Sequence, residues 1–211
     1  MTEKQACIQL LIEAIAATAT FLAVVVAIWG DGLRRSWAGP KLRLRLLDPT
    51  GEPIPLSTGQ AARYYHVEIR NDRPSAIATN VRVYVTKIRR PRADGQFTPP
   101  ELADVLSGGV PLTRQHGHTM PANATVGPQA NYDLATIAEG SPSVGLQLVF
   151  VPNNANPRIG KDERVQLELV AWGDQGKSPP LHVEIAWDGA WDNDTALMAR
   201  HLVVKVIPQL R

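Results

Sequence analysis

The run from Ile8 to Trp29, IQLLIEAIAATATFLAVVVAIW, constrains this chain more than any other stretch. From Ala14 onward it carries no charge, and before that only Glu13 interrupts it. Its 22 residues, at ~1.5 Å of helical rise each, match the ~30 Å hydrocarbon core of a bilayer. The run predicts one transmembrane α-helix at residues 8–29. A short extracytoplasmic tail would then occupy 1–7, a juxtamembrane linker 30–40, and one soluble body 41–211.

The flanks predict the orientation. Glu3 and Lys4 are the only charged side chains ahead of the run, whereas Leu33 to Leu47 holds Arg34, Arg35, Lys41, Arg43 and Arg45 without an acid. A Lys/Arg-rich flank stays cytoplasmic, so the N-terminus is expected outside and the body in the cytosol, at the inner membrane. Trp29 and Trp37 suit the interfacial belt at that end. Cys7 is the chain's one cysteine, so no internal disulfide can form, in keeping with a reducing compartment. The rival reading is a cleaved secretory signal, since Lys4 precedes an apolar run with small residues. Against it, the leading segment is barely positive and the basic cluster follows the run.

Within the run, Glu13, Ala16, Thr20, Ala23 and Ala27 share one helical stripe. Ala19, Ala23 and Ala27 form a small-xxx-small series that permits close helix approach. Self-association through this stripe is one expectation. The other is that Glu13, near the outer boundary, simply reaches up to the headgroups.

Beyond Pro40 the hydrophobic period switches to two, the mark of half-buried strands. Leu42, Leu44 and Leu46 alternate with Lys41, Arg43 and Arg45. Tyr65, Val67 and Ile69 alternate with Tyr64, His66, Glu68 and Arg70, and Val81, Val83 and Val85 follow. Val144–Val151, Val165–Trp172, Leu181–Trp187 and Leu202–Ile207 complete seven clear strands, separated by Gly-, Pro- and Asn-rich turns. Between Pro99 and Pro142 a short helix at Glu101–Leu106 and a strand near Tyr132–Ile137 are expected, and TALMAR (195–200) suggests a second short helix. No helix of crossover length separates the strands. The pattern therefore predicts an all-β, antiparallel immunoglobulin-like sandwich of seven to nine strands behind one N-terminal transmembrane helix.

Charge is uneven. Residues 1–100 carry a net +6 and residues 101–211 a net −4, within an overall +2. The basic half suits an anionic leaflet, and the total is too modest to point to nucleic acid. No nucleophile elbow or phosphate-binding glycine loop occurs; Gly108-Gly109 lacks the P-loop pattern and its lysine. His116 and His118 lack the further ligands a zinc site needs. Asp188, Asp192, Asn193 and Asp194 offer oxygens for calcium without the spacing of a calcium loop, and capping of the following helix explains them better. No metal, cofactor or catalytic residue is therefore expected. Lys87, Arg89, Arg90 and Arg92 form a basic turn that suits either an anionic ligand or lipid headgroup, or plain solvation.

The span followed by GDGLRR, the Pro40-Lys41 entry, the pair YYHVEIRN and NVRVYVTKI, and the closing WDGAWDNDTALMARHLVV resemble bacterial single-span membrane proteins with a cytosolic immunoglobulin-like sandwich. The layout is more loosely similar to membrane effectors of anti-phage systems, whose β domain senses a cyclic nucleotide and which typically have more than one span. The resemblance implies a fold and carries no catalytic residues. Two functions follow as expectations. One is a non-enzymatic, membrane-anchored binding module that meets a cytosolic or membrane protein partner, or another copy of itself. The other is a ligand-gated membrane effector that uses Glu13 and the basic turn.

Overall fold

The computed structural model describes residues 3–92, 94, 96–98, 109–114, 124–153 and 155–208, with side chains at 11–30 in the first helix and from Ala38 onward. It forms two compact units, Met1–Gly39 and Pro40–Arg211.

The first unit is one helix, α1, from Glu3 to Ala38. Its stretch Leu11–Gly30, 20 residues, is long and apolar enough to cross a membrane, and none of it is buried in protein. Leaving side chains such as Ile12, Phe21 and Val26 more than 60% exposed to water would forgo about 1.5–3 kcal/mol each. The linker expected from residue 30 starts as helix instead. Gly30-Asp31-Gly32 does not end α1, because neither glycine takes the positive φ of a cap. An interior glycine costs a helix only about 1 kcal/mol. The chain leaves the helix two residues before Pro40, whose ring disfavours the α conformation at Gly39.

The second unit contains thirteen described strands. They are β1 (Leu42–Leu46), β2 (Glu52–Pro53), β3 (Ala62–Asn71), β4 (Ala78–Arg89), β5 (Val110–Pro111), β6 (Ala124–Val126), β7 (Gln129–Ala138), β8 (Val144–Leu146), β9 (Arg158–Ile159), β10 (Glu163–Gly173), β11 (Gly176–Lys177), β12 (Leu181–Trp187) and β13 (Leu202–Ile207). A short helix, α2 (Thr195–His201), precedes β13. One sheet runs β1-β3-β7-β8-β9, with β2 also on β3. The other runs β13-β12-β10-β4-β5, with β11 on β10 and β6 on β4. Every pairing is antiparallel.

The sheets close on one core. Tyr65, Val67, Ile69 and Tyr132 from the first meet Val81, Val83, Val85, Leu167, Leu169, Val183 and Ile185 from the second. Two of the register shifts in the ladders set which side chains face the core. One separates Tyr65 from His66 in the β3–β7 ladder, leaving Leu134 without an opposite residue. The other leaves Thr86 unpaired against β10, so Ile88 faces inward while Lys87 and Arg89 face out.

Several expectations change. Val144–Val151 was expected as one strand, but β8 stops at Leu146. The chain then turns to the other sheet, where Leu112 bridges Leu148, and Thr113 N and Val149 N donate 2.9 Å bonds to Gln147 O and Pro111 O. This crossing covers an edge of each sheet. The expected strand at Tyr132–Ile137 is the centre of β7, which pairs along the full length of β3. Glu101–Leu106 lies outside the described residues.

Candidate functional site

The basic residues predicted to share a turn are separated by the fold. Lys87 Nζ lies 2.9 Å from Glu168 Oε2 across the β4–β10 ladder. Arg90 turns the other way. It pairs with Glu163, and its Nη2 donates to Asn156 O at 2.6 Å and Arg158 O at 3.0 Å. Arg89 stands on the outer face of β4 opposite Gln166, and Arg92 is exposed, its backbone N–H donating to Gln96 O. Lys87 and Arg90 thus neutralise carboxylates of their own domain.

Lys87 belongs to a network on the outer face of the second sheet. Glu168 also accepts from Thr86 Oγ1 at 2.8 Å and faces His182 Nε2 at 3.3 Å. Burial alone would raise the Glu168 carboxyl, but the Lys87, Thr86 and His182 donors outweigh it and hold it below the usual range. One row along, Glu184 accepts from Gln166 Nε2 at 2.9 Å and pairs with Lys205 Nζ at 3.0 Å. There too the donors outweigh burial and lower the carboxyl. Directly opposed charges across a ladder stabilise the register they sit in.

The first sheet holds a network that the alternation hid. His66 and Glu68 were expected on the solvent face of β3, yet both are about 2% exposed. His66 Nε2 lies 3.1 Å from Glu52 Oε2 and its Nδ1 2.9 Å from Asp133 Oδ1, while Glu68 pairs with Arg45. Arg45 on β1, Glu52 on β2 and Asp133 on β7 flank these two side chains, while Tyr64 and Arg70 in the same row stay half-buried and exposed, respectively. Burial would lower the His66 imidazole, but Asp133 and Glu52 prevail and raise it.

Arg63, earlier on β3, is 1% exposed. Its Nη2 donates to Asn193 O at 2.7 Å and its Nη1 to Thr195 Oγ1 at 3.1 Å, fastening the segment before α2 to the first sheet. The oxygens considered for calcium are used in that segment. Asp194 Oδ1 caps α2, accepting from Ala196 N and Leu197 N. Asp192 Oδ1 accepts from Asp194 N, and Asn193 Oδ1 from Trp191 Nε1. Asp188 accepts from Ala190 N and faces His201 Nδ1 at 2.8 Å, and these donors outweigh burial and lower its carboxyl. Among the described residues no three His, Cys, Asp or Glu side chains come together as a metal site. His116 and His118 lie outside those residues.

On α1, Glu13, Ala16, Thr20, Ala23 and Ala27 are all exposed, and Thr20 Oγ1 bonds back to Ala16 O at 2.8 Å. Beside that stripe, Ala14, Ile15, Thr18, Ala19 and Leu22 line a shallow groove. Apolar side chains also stand out from the β unit, notably Phe150 and Val151, 47% and 49% exposed just past the edge crossing. Comparison of the chain with protein-family models, with curated proteins and with solved structures returns no match.

Proposed function

We propose that this protein is a non-enzymatic, single-pass membrane-anchored binding module, with its N-terminus outside the inner membrane and its sandwich at the cytosolic face. The observation that carries the reading is α1, whose apolar stretch lies outside any protein core and is joined to a separate compact β unit. The strand order supports an immunoglobulin-like sandwich: β1-β3-β7 beside β4-β10-β12 parallels the A-B-E and C-F-G order of that fold. Such scaffolds bind through loops and edges, and Phe150 with Val151 offers an apolar contact for a protein partner.

The rival reading, a ligand-gated effector, draws on Glu13 and the basic turn. The pairing of Lys87 with Glu168 and of Arg90 with Glu163 favours the binding module. Glu13→Leu and Arg90→Glu discriminate the two. Under the proposal neither variant changes membrane permeability, and a change in either supports the effector.

Alkaline carbonate extraction of native membranes tests the anchor, and protease added outside spheroplasts tests the orientation. The chain is expected in the pellet with its sandwich spared. Release into the supernatant ends the reading, and digestion from outside reverses the orientation. A photo-crosslinking residue at position 150 is expected to capture one discrete protein, or a second copy of this chain.

A further inference from the structure

We propose that the end of the sandwich where the chain enters is an electrostatic docking surface for anionic lipid headgroups. The proposal rests on the membrane-anchor reading above. Three connections meet at this end: the entry at Pro40-Lys41, the β3–β4 turn and the β10–β12 connection that contains β11. Asp72 N bonds to Lys41 O at 2.9 Å, and Thr79 N to Gln175 Oε1 at 3.0 Å, so they form one surface.

Lys41, Arg43 and Lys177 line a cleft of about 330 Å³ there, walled by Pro40, Leu42, Leu44, Pro179 and Pro180. Cations at this end include Lys41, Arg43, its ladder partner Arg70, Arg73 and Lys177, against the carboxylates Asp72 and Asp174. Asp72 is taken up by Arg43 Nε at 2.7 Å. Asp174 Oδ2 accepts from Thr79 Oγ1 at 2.8 Å and from Asn80 Nδ2 at 2.7 Å. Among the described residues no carboxylate pairs with Lys41 Nζ or Lys177 Nζ, so both ammonium groups are available to a phosphate-bearing surface. Ile77 in the β3–β4 turn is 57% exposed and adds an apolar side chain to this end.

Sequence continuity selects lipid as the occupant. Lys41 comes three residues after the last residue of α1. The acidic segment Asp188–Asp194 follows the far end of β12, roughly 20 Å along the strand at ~3.3 Å per residue. The cationic end is therefore the one tied to the anchor.

The test uses the full chain with Cys7→Ser and Ser75→Cys, the new thiol carrying a fluorophore, in nanodiscs of neutral lipid or of the same lipid with anionic phosphatidylglycerol. The label is expected to be shielded from aqueous acrylamide in anionic discs, accessible in neutral ones, and released by 1 M salt, where the Debye length falls to ~3 Å. At ~1 kcal/mol per lysine near an anionic leaflet, Lys41→Gln with Lys177→Gln is expected to lower the docked-to-undocked ratio about 25-fold. Lys161→Gln with Arg200→Gln removes the same charge at the other end and is expected to leave the ratio unchanged.

Equal accessibility in both lipids overturns the proposal, as does loss with both variant pairs alike. Shielding produced in neutral discs by inorganic phosphate alone would assign a small-anion site in place of lipid docking. A chain that elutes apart from the discs fails the anchor reading. The same comparison on added anionic and neutral vesicles then decides the docking by itself.

Discussion

Tyr132, on β7 of one sheet, donates a 2.7 Å hydrogen bond from its hydroxyl to the carbonyl of Val81, on β4 of the other. Val81 follows Asn80, which sits at φ 53°, and the β4–β6 ladder shifts register between Ala78 and Val81. The tyrosine thus spans the core to a carbonyl beside a ladder irregularity, in a chain whose single cysteine allows no disulfide between the sheets. Burial pushes the Tyr132 hydroxyl up to about 12, so it remains a donor through neutral pH.

Tyr132→Phe keeps the ring and removes the donor. Leaving a buried carbonyl short of its partner is expected to cost about 1–2 kcal/mol. The cost would appear as a lower urea midpoint with an unchanged slope. An unchanged midpoint would show that the bond contributes nothing to stability.

His66 couples the first sheet to pH. Its imidazole is raised in the folded state, so its contribution is full below the unfolded value near 6.5. It is lost as pH rises through the folded value. His66→Gln is therefore expected to be less stable than the natural protein in mild acid, with the gap closing above neutrality. A gap that widens with pH would contradict the assigned pairing with Asp133 and Glu52.

Glu168 has the opposite sign. Its carboxyl is lowered in the folded state, so the stabilisation is present above the unfolded value of about 4.5 and is lost as pH falls through the folded one. Glu168→Gln is expected to lower the melting temperature at pH 7 by a few degrees, since about 1 kcal/mol corresponds to 2–4 °C in a domain of this size. The deficit should shrink in acid, and a pH-independent deficit would assign it to packing.

Gly109, at φ +81°, precedes β5 where that strand lies on β4. A Cβ there would sit 2.5 Å from Val85 O and 2.9 Å from Thr86 Cα, both backbone atoms. Gly59 has the same φ with nothing within 4 Å of its Cβ position. Gly59→Ala is expected to cost about 1–2 kcal/mol for the left-handed conformation alone. Gly109→Ala adds the backbone clash and is expected to cost clearly more. Equal melting temperatures would refute the close approach.

The periodicity of leucine, valine and isoleucine at 42–46, 65–69, 81–85, 165–171, 181–187 and 202–207 made the β unit legible, because alternation reports which face meets the core. A window of Val144–Val151 misled because a mostly apolar run does not say which sheet each residue joins. Gln147 and Leu148 cross between the sheets, a choice set by Leu112, more than thirty residues earlier.

The amino-acid order alone determined the apolar stretch of α1, the β-rich character of the remainder and the presence of a polar cap ahead of α2. Each depends on neighbours a few residues apart. Only the tertiary structure decided that Lys87 and Arg90 would be consumed by Glu168 and Glu163, and that His66 and Arg63 would be buried. It also brought Lys41 and Lys177 to one cleft across 136 positions of sequence. Charge acts through space, and the distance between two side chains depends on which strands pair, a property that no local window of sequence contains.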